Sequence, residues 1–296
     1  MNSPARVVTV LGSLHYDIMV TAPDRPRKGE TVTGRSWHPK CGGKGGNQAV
    51  AAAKAGADCV MIGAVGADDF GQALLANLDR RGIDRGAVRV ADSAGSGMSV
   101  AIFDADGDYG AVIVSGSNLT LGPADVEAAN GLIARTSILL LQNEVPDAAN
   151  IAAASAVKAA GGRVILNAAP ARPLPDALKT LVDVLVVNAI EAEYLAGTPV
   201  IDTLDGAADA AGLLLSHFPS VVVTAGGEGV AYADRSGLAF ALPGIRVKVE
   251  STHGAGDEFI GAMAAALARG VATRDAVSAG NAAAASLVGT PESERG

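Results

Sequence analysis

The stretch S-T-H-G-A-G-D-E-F, Ser251 to Phe259, places Gly254, Ala255 and Gly256 directly before an acidic residue, Asp257, at the mouth of the apolar run I-G-A-M-A-A-A-L-A-R-G. Small residues let backbone N–H groups come close to a ligand, and the first turn of a helix leaves such donors without intrahelical partners. Such a place attracts anions. An acidic side chain seated there is either a helix cap or a catalytic carboxylate beside a negatively charged substrate. A second glycine-rich stretch, C-G-G-K-G-G-N-Q-A from Cys41 to Ala49, surrounds Lys44 with glycines and brings Asn47 to a helix entrance. It lacks the Lys-Ser/Thr ending of a P-loop, and it follows the polar W-H-P-K where a dinucleotide fingerprint would follow a buried strand. Taken alone it is either a flexible turn or a cradle whose backbone and amide groups reach a polyhydroxylated ligand.

The elements that must position these residues are legible as apolar runs rich in Val, Ile and Leu, beginning at Val7, Cys59, Ile138, Val164, Val184 and Val221. Between most of them lie Ala-rich stretches of helical period, such as the one from Asn47 and the one from Asp147 that closes on Gly161. Alternation of strand and helix predicts an α/β fold with a doubly wound, mostly parallel sheet. Two segments break the rhythm, Asp17 to Trp37 and Met98 to Ser115, with period-two patterns and a hairpin turn signal at Asp104 to Asp108. Together, over residues 14–41 and 97–118, they are expected to form one small antiparallel lid on a single domain spanning 1–296. Phe259, Ile260, Met263 and Leu267 fall on one face of the helix after Asp257 and are expected to be core, with Gly270 ending it.

With 296 residues and 49% hydrophobic content, the chain can bury a large core. Charged residues make up only 18%, which excludes extended disorder, and no apolar run approaches the roughly 20 residues a bilayer needs. The N-terminal apolar stretch is short and is cut by Gly12, Ser13 and His15, so it reads as a first strand and not as a secretory signal. Two cysteines, Cys41 and Cys59, lack metal-ligand spacing and point to a reducing, cytoplasmic compartment. A net charge of −8 without a Lys/Arg cluster argues against nucleic acid or an anionic membrane, leaving a small molecule as the expected partner.

A set of motifs in one order along almost the whole chain resembles the ribokinase-like, phosphofructokinase B family of carbohydrate kinases. They are G-S-x-x-x-D at Gly12 to Asp17, G-E-T-V-T-G at Gly29 to Gly34, G-G-K-G-x-N-Q-A-V-A-A at Gly42 to Ala52 and G-A-V-G-x-D-x-F-G at Gly63 to Gly71. Further on come L-Q-x-E at Leu141 to Glu144, N-x-A-P-A at Asn167 to Ala171, N-x-x-E-A-E at Asn188 to Glu193, V-T-x-G-x-x-G-V at Val223 to Val230, and G-A-G-D at Gly254 to Asp257. The resemblance implies a three-layer sandwich with a β lid, ATP as donor, Mg²⁺, and transfer of the γ-phosphoryl group to a primary hydroxyl of a pentose, ribose first. It casts Asp257 as the base that takes the hydroxyl proton and Gly254, Ala255 and Gly256 as the turn holding charge on the phosphate. Sugar contacts implied are Asp17, Gly43, Lys44, Asn47 and Glu144, the last expected to be buried. Nucleotide contacts implied are Asn188, Thr224, Gly226, Gly229 and Asn281, with Glu191 near Mg²⁺ and the phosphates.

The chain departs from that pattern in ways that bear on substrate and cation. His15 stands where the family has an asparagine, within the sugar pocket, so another pentose, a hexose or a nucleoside is the rival acceptor. Ser251 stands where potassium-dependent members have an aspartate, and T-P-E-S-E-R-G replaces their loop; both argue against a potassium requirement. The family's last helix is also missing after Gly296. A sensor of sugar or nucleotide without catalysis is the rival from another class, and the presence of Asp257 argues against it. An NAD-linked oxidoreductase has no matching fingerprint here. Exposed lid edges predict a homodimer.

Overall fold

A computed structural model of the chain describes residues 7–105 and 109–295. Strands β1 (Val7–Leu11), β2 (His15–Thr21) and β3 (Ser36–Gly42) lead into helix α1 (Lys44–Lys54), then β4 (Asp58–Gly66), α2 (Asp69–Arg80), β5 (Asp84–Ala91), β6 (Gly97–Phe103) and β7 (Tyr109–Val114). Next come α3 (Pro123–Ala128), α4 (Asn130–Ile133), β8 (Thr136–Gln142), α5 (Asp147–Ala159), β9 (Arg163–Asn167), α6 (Asp176–Lys179), β10 (Val184–Asn188) and α7 (Ala189–Ala196). The chain continues through α8 (Leu204–Leu214), β11 (Ser220–Thr224), β12 (Gly229–Asp234), β13 (Ala239–Pro243), α9 (Ala255–Ala268) and α10 (Thr273–Val288).

Nine strands form one sheet in the order β13-β12-β11-β10-β9-β8-β1-β4-β5. Pairing is parallel from β11 through to β5 and antiparallel for β12 and β13 at the other edge. Side chains alternate across a strand, so a strand buried on both faces reads as an unbroken apolar run. Thus Leu11, Leu139 and Leu141 enter one core with α3, α5, α7 and α8 residues such as Val126, Ala153, Ala192 and Ala210. Val8, Val10, Ile138 and Leu140 enter the opposite core with Ala49 and Ala52 of α1, Leu74 and Leu78 of α2, Phe259 and Met263 of α9 and Val277 of α10. The result is the expected helix–sheet–helix sandwich.

A second sheet has the order β3-β2-β6-β7. Its outer pairs, β2 with β3 and β6 with β7, are antiparallel, and β2 and β6 run parallel between them. That central pairing joins the two excursions from the main sheet, which are separated in sequence by α1, β4, α2 and β5. Tyr16 at the root of this sheet stacks on Phe70 of α2, centroids 4.5 Å apart. The turn expected at Asp104 to Asp108 lies partly outside the described residues.

Candidate active site

Parallel α/β sheets gather ligands at the carboxyl ends of their strands, and the polar residues singled out from the sequence stand there. Gly12 and Ser13 follow β1, Glu144 follows β8, Asn167 ends β9, Asn188 ends β10 and Thr224 ends β11. Helices α1 and α9 bring the two glycine-rich stretches to the same edge.

Asp257 is the third residue of α9 and not its cap. The cap position is Gly254, in the left-handed region at φ 80°, and no side chain caps the helix. The Ala255 N–H is engaged by the Thr252 carbonyl at 3.2 Å and the Glu258 N–H by the Gly254 carbonyl at 2.9 Å. The N–H groups of Gly256 and Asp257 are therefore the first-turn donors left for an anion. The Asp257 carboxylate is buried, its Oδ1 accepting from Gln48 Nε2 at 2.9 Å and its Oδ2 from Asn47 Nδ2 at 3.0 Å. Burial pushes its pKa up; the positive charge of Lys44 and the two amide donors oppose that rise, and the negative charge of Glu144 adds to it.

Gln48 belongs to a buried amide chain that the sequence motifs alone do not assign to the site. Gln142 Nε2 donates to Gln48 Oε1 at 2.7 Å, Asn150 Nδ2 donates to the Gln142 carbonyl at 2.8 Å, and Gln48 Nε2 also reaches Asn167 Oδ1 at 3.2 Å. Because the Gln48 side-chain oxygen accepts from Gln142, its amide nitrogen is turned toward Asp257 and Asn167. The available signals were the glutamines in the N-Q-A and L-Q stretches, which look like helix and strand filler until the fold brings them together.

On the side of β2, Gly43 caps α1 at φ 83°, and a Cβ there would lie 2.8 Å from both His15 N and Ser13 O. That close approach lets the Lys44 N–H donate to Glu144 Oε2 at 3.0 Å, an oxygen that also receives the Ser13 hydroxyl. Glu144 is half-buried and not buried as expected, because it stands past the end of β8 where the sheet opens into a cavity of about 380 Å³. His15, Asn143, Asp147 and Arg172 share that cavity. His15 is 4% exposed, and its Nε2 has no hydrogen-bond partner among the described residues. Asp17 lies further along β2, buried, receiving the Ser99 hydroxyl.

Asn188, Thr224, Gly226, Gly229 and Asn281 line a single cavity of about 620 Å³ that runs to Ala255 and Gly256. Asn281 Nδ2 donates to the Pro243 carbonyl at 3.0 Å, so part of its amide is committed to holding β13. Phe259 of α9 lines this cavity while also packing in the core. A smaller cavity of about 170 Å³ contains Lys44, Asn188, Glu191, Thr224, Gly254, Gly256 and Asp257. Ile260, expected to be core alone, lines it as well. Asn188 and Glu191 form a reciprocal capping box at α7: Asn188 Oδ1 accepts from the Glu191 N–H and Glu191 Oε2 from the Asn188 N–H, each at 2.9 Å. Burial raises the pKa of Glu191, the Asn188 N–H and Lys44 lower it, and Asp257 raises it.

The family model described as pfkB family carbohydrate kinase matches residues 5–295. The ribokinase of Haemophilus influenzae is 34% identical over 280 residues, covering 95% of this chain and 91% of the relative. The deoxyribokinase of Salmonella typhi is 34% identical over 259 residues, covering 87% and 84%. The solved structure of Arabidopsis thaliana ribokinase complexed with ribose and ATP superposes with a TM-score of 0.88 at 31% identity, covering 98% of this chain and 94% of that one. The chain belongs to the pfkB family of carbohydrate kinases.

Proposed function

We propose that the protein transfers the γ-phosphoryl group of ATP to the primary hydroxyl of a pentose, with ribose the first acceptor. The observation that carries this reading is the position of Asp257. It lies between the Lys44, Asn47 and Glu144 cluster on one side and, on the other, the glycine turn that opens to the 620 Å³ cavity. In this scheme the acceptor rests on Asp17, Gly43, Asn47, Glu144 and His15. Asp257 accepts the hydroxyl proton as the oxygen attacks, and the N–H groups of Gly256 and Asp257 with the Lys44 charge stabilise the anionic phosphoryl group. The nucleotide occupies the cavity of Asn188, Thr224, Gly226, Gly229 and Asn281, where glycines permit close approach.

The donor set suits Mg²⁺. Among the described residues no three His, Cys, Asp or Glu side chains converge on a metal position. Two buried carboxylates, Glu191 and Asp257, border the small cavity; with Asp257 taking the hydroxyl proton, Glu191 is the one left for Mg²⁺, which commonly binds through one or two carboxylates with phosphate oxygens and water completing its shell. When bound it would neutralise charge on the nucleotide phosphates. No potassium requirement is part of this reading, and the setting is cytoplasmic, where ATP is supplied and Cys41 and Cys59 stay free.

The relatives include both a ribokinase and a deoxyribokinase at the same 34% identity, which makes the 2-hydroxyl the feature to test. A coupled ADP assay with ribose, 2-deoxyribose, other pentoses and adenosine should show fast ADP formation with ribose and a pentose phosphate as product. Melting shifts with sugar and ATP but no ADP from any acceptor would instead favour a sensor.

The small sheet acts as a lid over the acceptor, and its free edge is the contact between two copies. Val112, Ile113 and Val114 on edge strand β7 are 69%, 58% and 51% exposed, and Trp37 on the opposite edge strand is 67% exposed. Consecutive exposed apolar residues on an unpaired edge favour pairing with another chain. Light scattering should give twice the 29.4 kDa chain mass, and Ile113→Lys should return the protein to monomer.

A further inference from the structure

We propose that Arg295 is a tethered cation: its guanidinium holds together the carbonyl groups of the loop ahead of Asp257, so that the site needs no diffusible monovalent ion. The proposal deepens the kinase reading above and rests on it. Arg295 Nε donates to the Thr290 carbonyl at 2.9 Å, Nη1 to the His253 carbonyl at 3.0 Å and Nη2 to the Ser251 carbonyl at 2.6 Å. Three carbonyl oxygens from segments about 40 residues apart thus face one positive group, whose side chain is only 7% exposed. A guanidinium is a fork of donors with no acceptor, which suits it to such a ring of oxygens.

The counter-charge is also in place. Glu292 Oε1 lies 3.9 Å from Arg295 Nη1 and accepts from Ser251 Oγ at 2.8 Å. Burial acts to raise the Glu292 pKa, but the Ser251 hydrogen bond together with the charges of Lys40, His253 and Arg295 holds it below the usual carboxylate range.

What the clamp secures is the approach to the anion-holding turn. Residues 251–254 lie outside any strand or helix, and the loop carries Thr252 and Gly254 into the small cavity beside Asp257. Among the described residues, the other hydrogen bonds that tie this stretch to the 288–295 segment run from the N–H groups of Glu250 and Ser251 to the Val288 carbonyl, at 2.9 and 3.4 Å, and from the Ser251 hydroxyl to Glu292. Without the guanidinium, three carbonyl dipoles would face one another with nothing between them. The loop would relax, and with it the first turn of α9. Arg295 is therefore a positioning residue and does not itself touch the reacting atoms.

The test uses the whole protein in buffer whose only cation besides Mg²⁺ is tetramethylammonium. The wild-type rate should not change when KCl or guanidinium chloride is added. Arg295→Ala should lose about tenfold in kcat with little change in acceptor KM, equivalent to about 1.4 kcal/mol, and either small cation should restore most of it. A rescue by two unrelated cations is a response that simple destabilisation would not give. Hydrogen exchange of the Ser251–Asp257 amides gives a readout independent of turnover: faster in Arg295→Ala, slowed again by KCl or guanidinium. If wild type phosphorylates no acceptor, the kinase reading fails and the exchange experiment still decides the clamp. Full Arg295→Ala activity without small cations, wild-type activation by KCl, or loss of rate and protection that neither cation repairs in a folded variant would each overturn the proposal.

Discussion

Asp257→Asn should lower kcat by about 10²- to 10⁴-fold, the range for loss of a general base, while ATP binding persists. The substitution keeps the shape of the side chain and removes its ability to take a proton. It also disturbs the local pairing, because Gln48 Nε2 and Asn47 Nδ2 donate to the two carboxylate oxygens, and an asparagine can accept from only one of them. The fold should survive. Burial raises the Asp257 pKa above its unfolded value, so between the two values the native state binds more protons than the unfolded chain. Stability therefore falls as pH rises through that window, and the deficit is fully present above it. Removing the buried charge lifts that deficit at neutral pH and offsets part of the lost hydrogen bonding. The same shift sets the rate profile. As the proposed base, Asp257 must be deprotonated to act, so the acid limb of kcat/KM should lie above about 3.9, the ordinary aspartate value, and should be absent from the residual activity of the variant. Coupled ADP assays across pH, nucleotide titration and thermal melts of both proteins check each part. Near-normal turnover by Asp257→Asn would remove this residue from the mechanism.

The features that follow from local composition were legible before the structure. Unbroken Val and Leu runs such as Leu139 to Leu141 announce strands buried on both faces, and Ala-rich helices between them force parallel crossovers. The glycines around Lys44 and before Asp257 announce close backbone approach. Less legible were the contacts made only by closure of the fold. Gln48 and Asp257 are 209 residues apart, and nothing local distinguishes Gln48 from any polar residue on a helix facing a sheet. Glu191 reads as a phosphate or metal ligand from its motif, yet its first partner is the N–H of Asn188 in a capping box three residues away. The parallel pairing of β2 with β6 was equally hidden, because period-two patterns fix which face a residue takes and not the direction of the neighbouring strand. Arg295 sat in a polar run whose role depends on carbonyl groups supplied by Ser251 and His253.

Gly261→Ala should destabilise the protein by about 1–3 kcal/mol, the usual cost of overpacking a well-filled core, and should reduce kcat by about 10²-fold, as misplacement of reacting groups by 1 Å can do. The reason is that α1 and α9 touch at this residue. A Cβ on Gly261 would stand 2.4 Å from the Ala51 Cβ, 2.7 Å from the Ala52 N and 2.7 Å from the Gln48 carbonyl oxygen. Two of these atoms are backbone, so no side chain can swing aside and the helices must part. Their separation acts on the chemistry because the same pair of helices carries Asn47 and Gln48 on one side and Asp257 on the other. The bonds of 2.9 and 3.0 Å that orient the carboxylate have little length to give before they break. At the outer end of the interface, Lys54 Nζ to Glu258 Oε1 at 2.8 Å is exposed and holds the helices only weakly. Gly212→Ala provides the control, since among the described residues nothing beyond this glycine's own stretch of α8 lies within 4 Å of an added Cβ. There the change should stabilise the helix by about 0.5–1 kcal/mol and leave turnover unaltered. Urea unfolding and steady-state kinetics on the two variants separate a loss caused by helix spacing from one caused by alanine itself. Equal, near-wild-type behaviour of both would show that Asp257 does not depend on the α1–α9 contact for its alignment.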